Sequence, residues 1–263
     1  MPKALVWEHM TVKEVRDALE SGMRTVLVPL GVTEQHGYHL PIRTDCYNCE
    51  EISKRAAEQC GCFVAPTLAY TYSGGELPGT INVSPHVVTQ IMVEILHSLC
   101  LQGLQNLIIV LGHGGSENDV ATQDAAEIFL RNNPQFSDRN IAVYRFWTKS
   151  ALCQKAFEEG DFHSGYFETS LMLHWHPEEV RDEYVLDEPD VVRMMRQDQD
   201  AYQLRERRVD HEDAVPWVRQ HPAIKVGVMG EPEKASAELG KRMSDEAVEG
   251  LVELIRAMEA ASG

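Results

Sequence analysis

Two apolar runs constrain this chain more than anything else in it. They are Thr25–Leu30 (TVLVPL) and Asn106–Leu111 (NLIIVL), each rich in branched side chains and each stopped by a glycine, Gly31 and Gly112. Short runs without polar alternation predict strands buried on both faces. Such strands belong to parallel sheets, whose crossover helices cover both sides. Both runs then pass at once into side chains suited to cations or protons: Glu34, His36 and Asp45 after the first, His113 after the second. Open α/β sheets bind ligands beyond the carboxyl ends of their strands, so the two deliveries are predicted to meet at one rim.

The intervening sequence supplies the helices and loops. Thr11 and Glu14 form a capping box that opens a helix over 11–21, ended by Gly22. A helix is predicted from Asp45 to about Gln59, then a strand over 62–69 in which Pro66 marks a bulge or an end. Residues 70–80 carry Gly74, Gly75, Pro78 and Gly79 and read as a loop that turns sharply or approaches something closely. Ser84 and Pro85 cap a helix reaching Leu101. A helix from about Asn118 to Arg131, a strand near 140–147, and helices from Gly165 to Trp175 and Ser236 to Ala260 complete the pattern. Residues 177–215 are dense in Glu, Asp and Arg and read as a charged helix or arm with a solvated face. The expected fold is α/β, a three-layer α/β/α arrangement around a largely parallel sheet, in one domain over 1–263.

Charge narrows the partners. A net charge of −17 over 263 residues excludes the basic surface that nucleic acids and anionic membranes require. No apolar run approaches the roughly 20 residues of a membrane span, and the amino terminus lacks the basic start and apolar middle of a leader. The expectation is a cytoplasmic protein acting on a small molecule. Six cysteines are present, and in a reducing compartment they need not pair. Cys46 and Cys49 stand three apart on a predicted helix, where both pack on one face as small apolar groups rather than as zinc ligands.

Glu34, His36, Asp45 and His113 form the donor mixture that a water-activating divalent metal needs. Glu34 and His36 are two apart, so on extended backbone they point to the same side. Asp45, at a helix start, can return both oxygens to that space, and a carboxylate has lone pairs enough to bridge two ions at ~3.5–4 Å separation.

The motifs TEQHGYHLP from Thr33 with Asp45, LPGT ending at Thr80, GHGG around His113, and HSGYFETSLML from His163 resemble the creatininase (creatinine amidohydrolase) family. So does the late run GVMGEPEKASAELG from Gly227 to Gly240. Order and spacing agree over roughly residues 24–258. The resemblance implies a two-metal site of zinc, manganese or iron, hydrolysis of a carbon–nitrogen bond, and a hexamer of paired subunits. It matches Glu34 and His113 to one ion, His36 to the other and Asp45 to the bridge. The family's glutamate two residues beyond its late histidine is here Gly115, which leaves the second ion short of a ligand. Glu168 is the candidate to replace it, ahead of Glu117, whose place at a helix start gives it an ordinary stabilising role. His163 matches a histidine that moves a proton near the substrate, a task suited to a pKa of about 6.5. Ser73 matches a substrate-contacting loop.

The departures bear on the substrate. The creatininase run Trp-Asp-x-Glu-His is EGDFH here, from Glu159 to His163, and the Tyr-Glu after the late histidine is Gly114-Gly115. Both argue against creatinine. Arg43 stands where relatives carry a small residue and reads as an exposed arginine without a ligand role. The expected reaction is hydrolysis of a cyclic amide or formamide by a metal-bound hydroxide, with His163 protonating the leaving group. Two alternatives remain: opening of a carbocyclic sugar ketone in inositol breakdown, and a non-catalytic metal-binding scaffold or regulatory subunit.

Overall fold

The structure is a computed structural model that describes residues 4–262. The amino-terminal reading rests in part on residues 1–3, which lie outside the described residues. Five strands among the described residues form one parallel sheet: β1 (Leu5–Val6), β2 (Thr25–Leu30), β3 (Phe63–Val64), β4 (Asn106–Leu111) and β5 (Asn140–Arg145). Their spatial order is β1-β3-β2-β4-β5. β2 and β4 lie side by side over their whole length, from Thr25 opposite Asn106 to Leu30 opposite Leu111.

Every residue of β2 and β4 is buried, as continuous apolar runs require. Alternate side chains serve two cores. Leu27, Ile108 and Val110 face one core with α2 (Thr44–Cys60), α6 (Tyr166–Trp175) and α8 (Ala237–Ser262). Val26, Val28, Leu107 and Ile109 face the other, with α1 (Val12–Glu20), α3 (Pro85–Leu101) and α4 (Ser116–Asn132). This is the expected three-layer architecture. The chain leaves β2 toward β3 on one side and leaves β4 toward β5 on the other, so the rim between β2 and β4 is the switch point at which such sheets bind ligands.

Three expectations change. The strand expected over 62–69 is only Phe63–Val64, with an isolated bridge from Leu68 to Leu30, because Pro66 interrupts the ladder. The sequence reading missed β1 and α5 (Ala151–Glu158), both too short to show a period. The segment 177–215 is not a continuous charged helix. It holds one seven-residue helix, α7 (Pro189–Met195), and then a strand, β6 (Gln203–Glu206), that pairs antiparallel with β7 (Trp217–Gln220). Tertiary bonds override helical propensity there: the Asp187 carboxylate accepts the backbone N–H groups of Lys225, Val226 and Gly227, which closes the segment on itself. Among the described residues, no helix is long and apolar enough to cross a membrane.

Candidate metal centre

Close backbone approach builds the site. Gly112 ends β4, and a Cβ there would lie 1.9 Å from the Asp45 carbonyl oxygen. Only glycine lets the first turn of α2 seat against the end of β4, which brings Asp45 beside His113. Glu34 and His36 follow β2 on the neighbouring loop, and Glu168 comes from the first turn of α6.

These side chains meet in two groups of three that share one carboxylate. Glu34, Asp45 and His113 offer ligand atoms within 4.8 Å of one another, as do His36, Asp45 and Glu168. His113 Nδ1 lies 3.1 Å from Glu34 Oε2 and 3.4 Å from Asp45 Oδ2. His36 Nε2 lies 3.5 Å from Asp45 Oδ1 and 3.5 Å from Glu168 Oε2. Asp45 thus turns one oxygen to each imidazole. All five side chains are buried. Glu34 Oε2, His36 Nε2 and Asp45 Oδ2 have no hydrogen-bond partner there, an unfavourable arrangement for buried polar atoms unless a cation completes it. The donor set therefore fits bound divalent metal.

The surroundings fix these groups. His36 Nδ1 donates to the Glu34 carbonyl at 3.1 Å, which turns Nε2 toward the cluster. Ser73 Oγ donates to Glu34 Oε1 at 2.5 Å and accepts the Gly75 N–H. Ser73 lines the cavity, but its hydroxyl is engaged with Glu34. His163 Nε2 donates to the Gln35 carbonyl at 2.9 Å, and its Nδ1 stands 3.9 Å from Glu168 Oε2. Ser164, which alone among the described non-glycine residues has positive φ, at 55°, donates its N–H to Glu168 Oε2 at 2.6 Å. His39 Nε2 in turn donates to the Ser164 carbonyl at 3.0 Å, so the second histidine of the early motif supports this turn.

Electrostatics follow from burial and pairing. Burial opposes charge on His36, but Glu168 and Asp45 outweigh it and raise its pKa well above 6.5. His113 is raised in the same way, against burial, by Glu34 and Asp45. Burial likewise opposes ionisation of Glu34, yet the charge and hydrogen bond of His113 hold it well below the usual carboxylate range. His163 is the exception: burial and then the neighbouring His36 lower it, so it is neutral.

Gly115 stands where the family resemblance places an acid. A Cβ on Gly115 would lie 2.3 Å from His113 Nε2, so no side chain fits while His113 keeps this rotamer. Glu168 stands in the second group of three instead, and Glu117 bonds outward to Ser116 and Gln203. Arg43 pairs with Glu50 and takes no part in the site.

A cavity opens above the cluster. Sequence reading found its polar floor but missed most of its walls: Gln35, Phe157, Phe162, and, from the charged segment and beyond it, Met195, Tyr202 and Gln220. Gln35 sits between two ligand-type residues and was legible by position. The others carry no sequence signal, because their place depends on how the segment folds back. Tyr202 donates to the Ser73 carbonyl at 2.9 Å, and Gln220 accepts the Glu76 N–H at 2.6 Å, which clamps the 70–80 loop.

Comparison with known proteins agrees with this geometry. The profile of the creatininase family, described as creatinine amidohydrolase, matches residues 8–255. Creatinine amidohydrolase of Pseudomonas putida is 29% identical over 206 residues, 72% of this chain and 78% of that protein. The mycofactocin precursor peptide peptidase of Mycolicibacterium smegmatis is 30% identical over 250 residues, 90% of this chain and 87% of that protein. A 3-dehydro-scyllo-inosose hydrolase of Thermotoga maritima is 26% identical over 197 residues, 71% of this chain and 61% of that protein. A solved structure of manganese creatininase superposes with a TM-score of 0.77 at 26% identity, covering 97% of this chain and 98% of that one. Fold and sequence agree along nearly the whole length, and the chain belongs to the creatininase family of metal-dependent hydrolases.

Proposed function

We propose that this protein hydrolyses an amide carbon–nitrogen bond in a small substrate, a cyclic amide or formamide other than creatinine, with two divalent ions. The observation that carries this reading is Asp45, whose two oxygens face different imidazoles, each with its own further carboxylate. Glu34 and His113 would hold one ion, His36 and Glu168 the other, and Asp45 both. Zinc, manganese and iron all suit such mixed nitrogen and oxygen donors. When bound, the ions polarise the scissile carbonyl and lower the pKa of water toward about 7.

The chain's own groups do the rest. Ser73 and Gly75 hold Glu34 in place, so Ser73 acts on the substrate through Glu34. His163 is neutral with its Nε2 tied to Gln35, which leaves Nδ1 to take a proton from attacking water and pass it to the leaving nitrogen. The apolar share of the cavity wall, including Phe157, Phe162 and Met195, favours an amide over an oxygen-rich carbocyclic ketone. The ketone reading keeps the same residues and is supported by the name of the Thermotoga relative. The scaffold reading is opposed by two complete groups of three ligand-type side chains, with Glu168 in the second where Gly115 offers no acid. The same proposal places one domain in a cytoplasmic homo-oligomer, a hexamer as the family resemblance implies.

The test is turnover after reconstitution with manganese, zinc or iron on a panel of lactams, formamides and cyclic ketones. Amide hydrolysis that stops on chelation is expected. Turnover confined to ketones would replace this reading with the second, and tight partner binding without turnover would replace it with the third.

A further inference from the structure

The cavity above the cluster is unusual in what it omits. Among the described residues, no lysine or arginine lines it, and its two carboxylates, Glu34 and Glu168, already face the imidazoles of the cluster. A charged substituent directed away from the ions, into the rest of the wall, would find no oppositely charged side chain there. Part of the wall is apolar and preformed. Met195, Ile224 and Met229 are each at most 4% exposed and pack together with Phe162, Leu77 and Tyr202 as a small core of their own. Besides the Ser73 and Tyr202 hydroxyls and the His163 imidazole, the polar groups outside the cluster are carboxamides, Gln35, Gln199 and Gln220, which donate and accept without charge.

Resting on the amide-hydrolase reading above, we propose that the site selects an uncharged amide bearing an apolar substituent. The substituent lies against Met195, Ile224, Met229 and Phe162, none of which is a ligand-type residue, and Met195 and Ile224 come from the 189–224 segment. An apolar pocket with a few convergent neutral polar groups recognises this kind of ligand. Transfer of a charged group into it without a partner is opposed far more strongly than transfer of a ring or alkyl chain.

Three matched ligands test the proposal on the metal-loaded full chain: N-benzylformamide, N-formylglycine as the anion and N-(2-aminoethyl)formamide as the cation. Binding is read by calorimetry and turnover separately. The neutral ligand is expected to bind at least about tenfold more tightly than either charged one. Gln199→Arg places a cation at the exposed mouth without disturbing an element, and it should narrow the gap between the neutral and anionic ligands about tenfold, read in Kd and KM rather than kcat. Equal or tighter binding of either charged ligand, or binding of none, overturns the proposal whatever is hydrolysed. The expected binding order without formamide or lactam turnover sustains the charge selection and removes the amide chemistry instead.

Discussion

At the scale of the residue, the centre stands or falls with how few atoms are shared. Asp45→Asn removes one anionic oxygen from both groups of three, so metal content is expected to fall for both ions together by elemental analysis. Glu168→Gln should lower only the ion near His36, and an unchanged two-ion stoichiometry would remove Glu168 from the ligand set. Gly115 makes a sharper case. Restoring the family's acid by Gly115→Glu looks from sequence like adding a ligand. Its Cβ would fall 2.3 Å from His113 Nε2, so His113 must move and metal content should drop rather than rise. Glu34, His36 and His113 were legible in the sequence because strand ends and glycines announce where side chains gather. The hydroxyl of Ser73 was not, because its partner Glu34 lies 39 positions away and only folding joins them.

At the scale of the element, α6 delivers Glu168 and is held at its start by Asp161. The Asp161 carboxylate accepts the N–H groups of Tyr166, Phe167 and Glu231 at 2.9–3.0 Å, capping α6 and tying it to the loop before α8. Burial pushes its pKa up to about 6, so at neutral pH it is ionised and can serve all three donors. Asp161→Ala leaves two buried and one half-buried N–H group unpaired, which should cost about 3 kcal/mol after partial relaxation. At about 2–4 °C per kcal/mol for a chain of this size, the melting temperature should fall about 6–12 °C by calorimetry. A fall within error would mean that water replaces the cap. The helices α1, α2 and α3 carried their caps or starts in the sequence and formed where expected, whereas the charged segment was misread. Its apolar residues are too sparse for a period, and what shapes it is Asp187 reaching residues 38 to 40 positions on.

At the scale of the whole molecule, burying three carboxylates with two imidazoles couples the fold to protons and to metal. Glu34 and Glu168 are lowered from 4.5, so their stabilisation is present above 4.5 and lost as pH falls through their folded values. His36 and His113 are raised from 6.5, so theirs is complete below 6.5 and lost as pH rises through their folded values. Metal-free protein should therefore melt highest between 4.5 and 6.5 and less stably at higher pH. Metal displaces those protons, so uptake near neutral pH should release about two, measured by titration calorimetry in buffers of different ionisation enthalpy. No release would mean that the imidazoles are neutral before metal arrives.

The sequence by itself determined the central strands β2 and β4, most of the covering helices and the floor of the site. Those follow from local pattern, since apolar runs, caps and glycines act on neighbours a few positions away. Only the tertiary structure decided which carboxylate completes the second group, what Ser73 holds and which residues wall the cavity. Those depend on contacts between segments far apart in the chain, where the compact packing of the whole fold sets the distances.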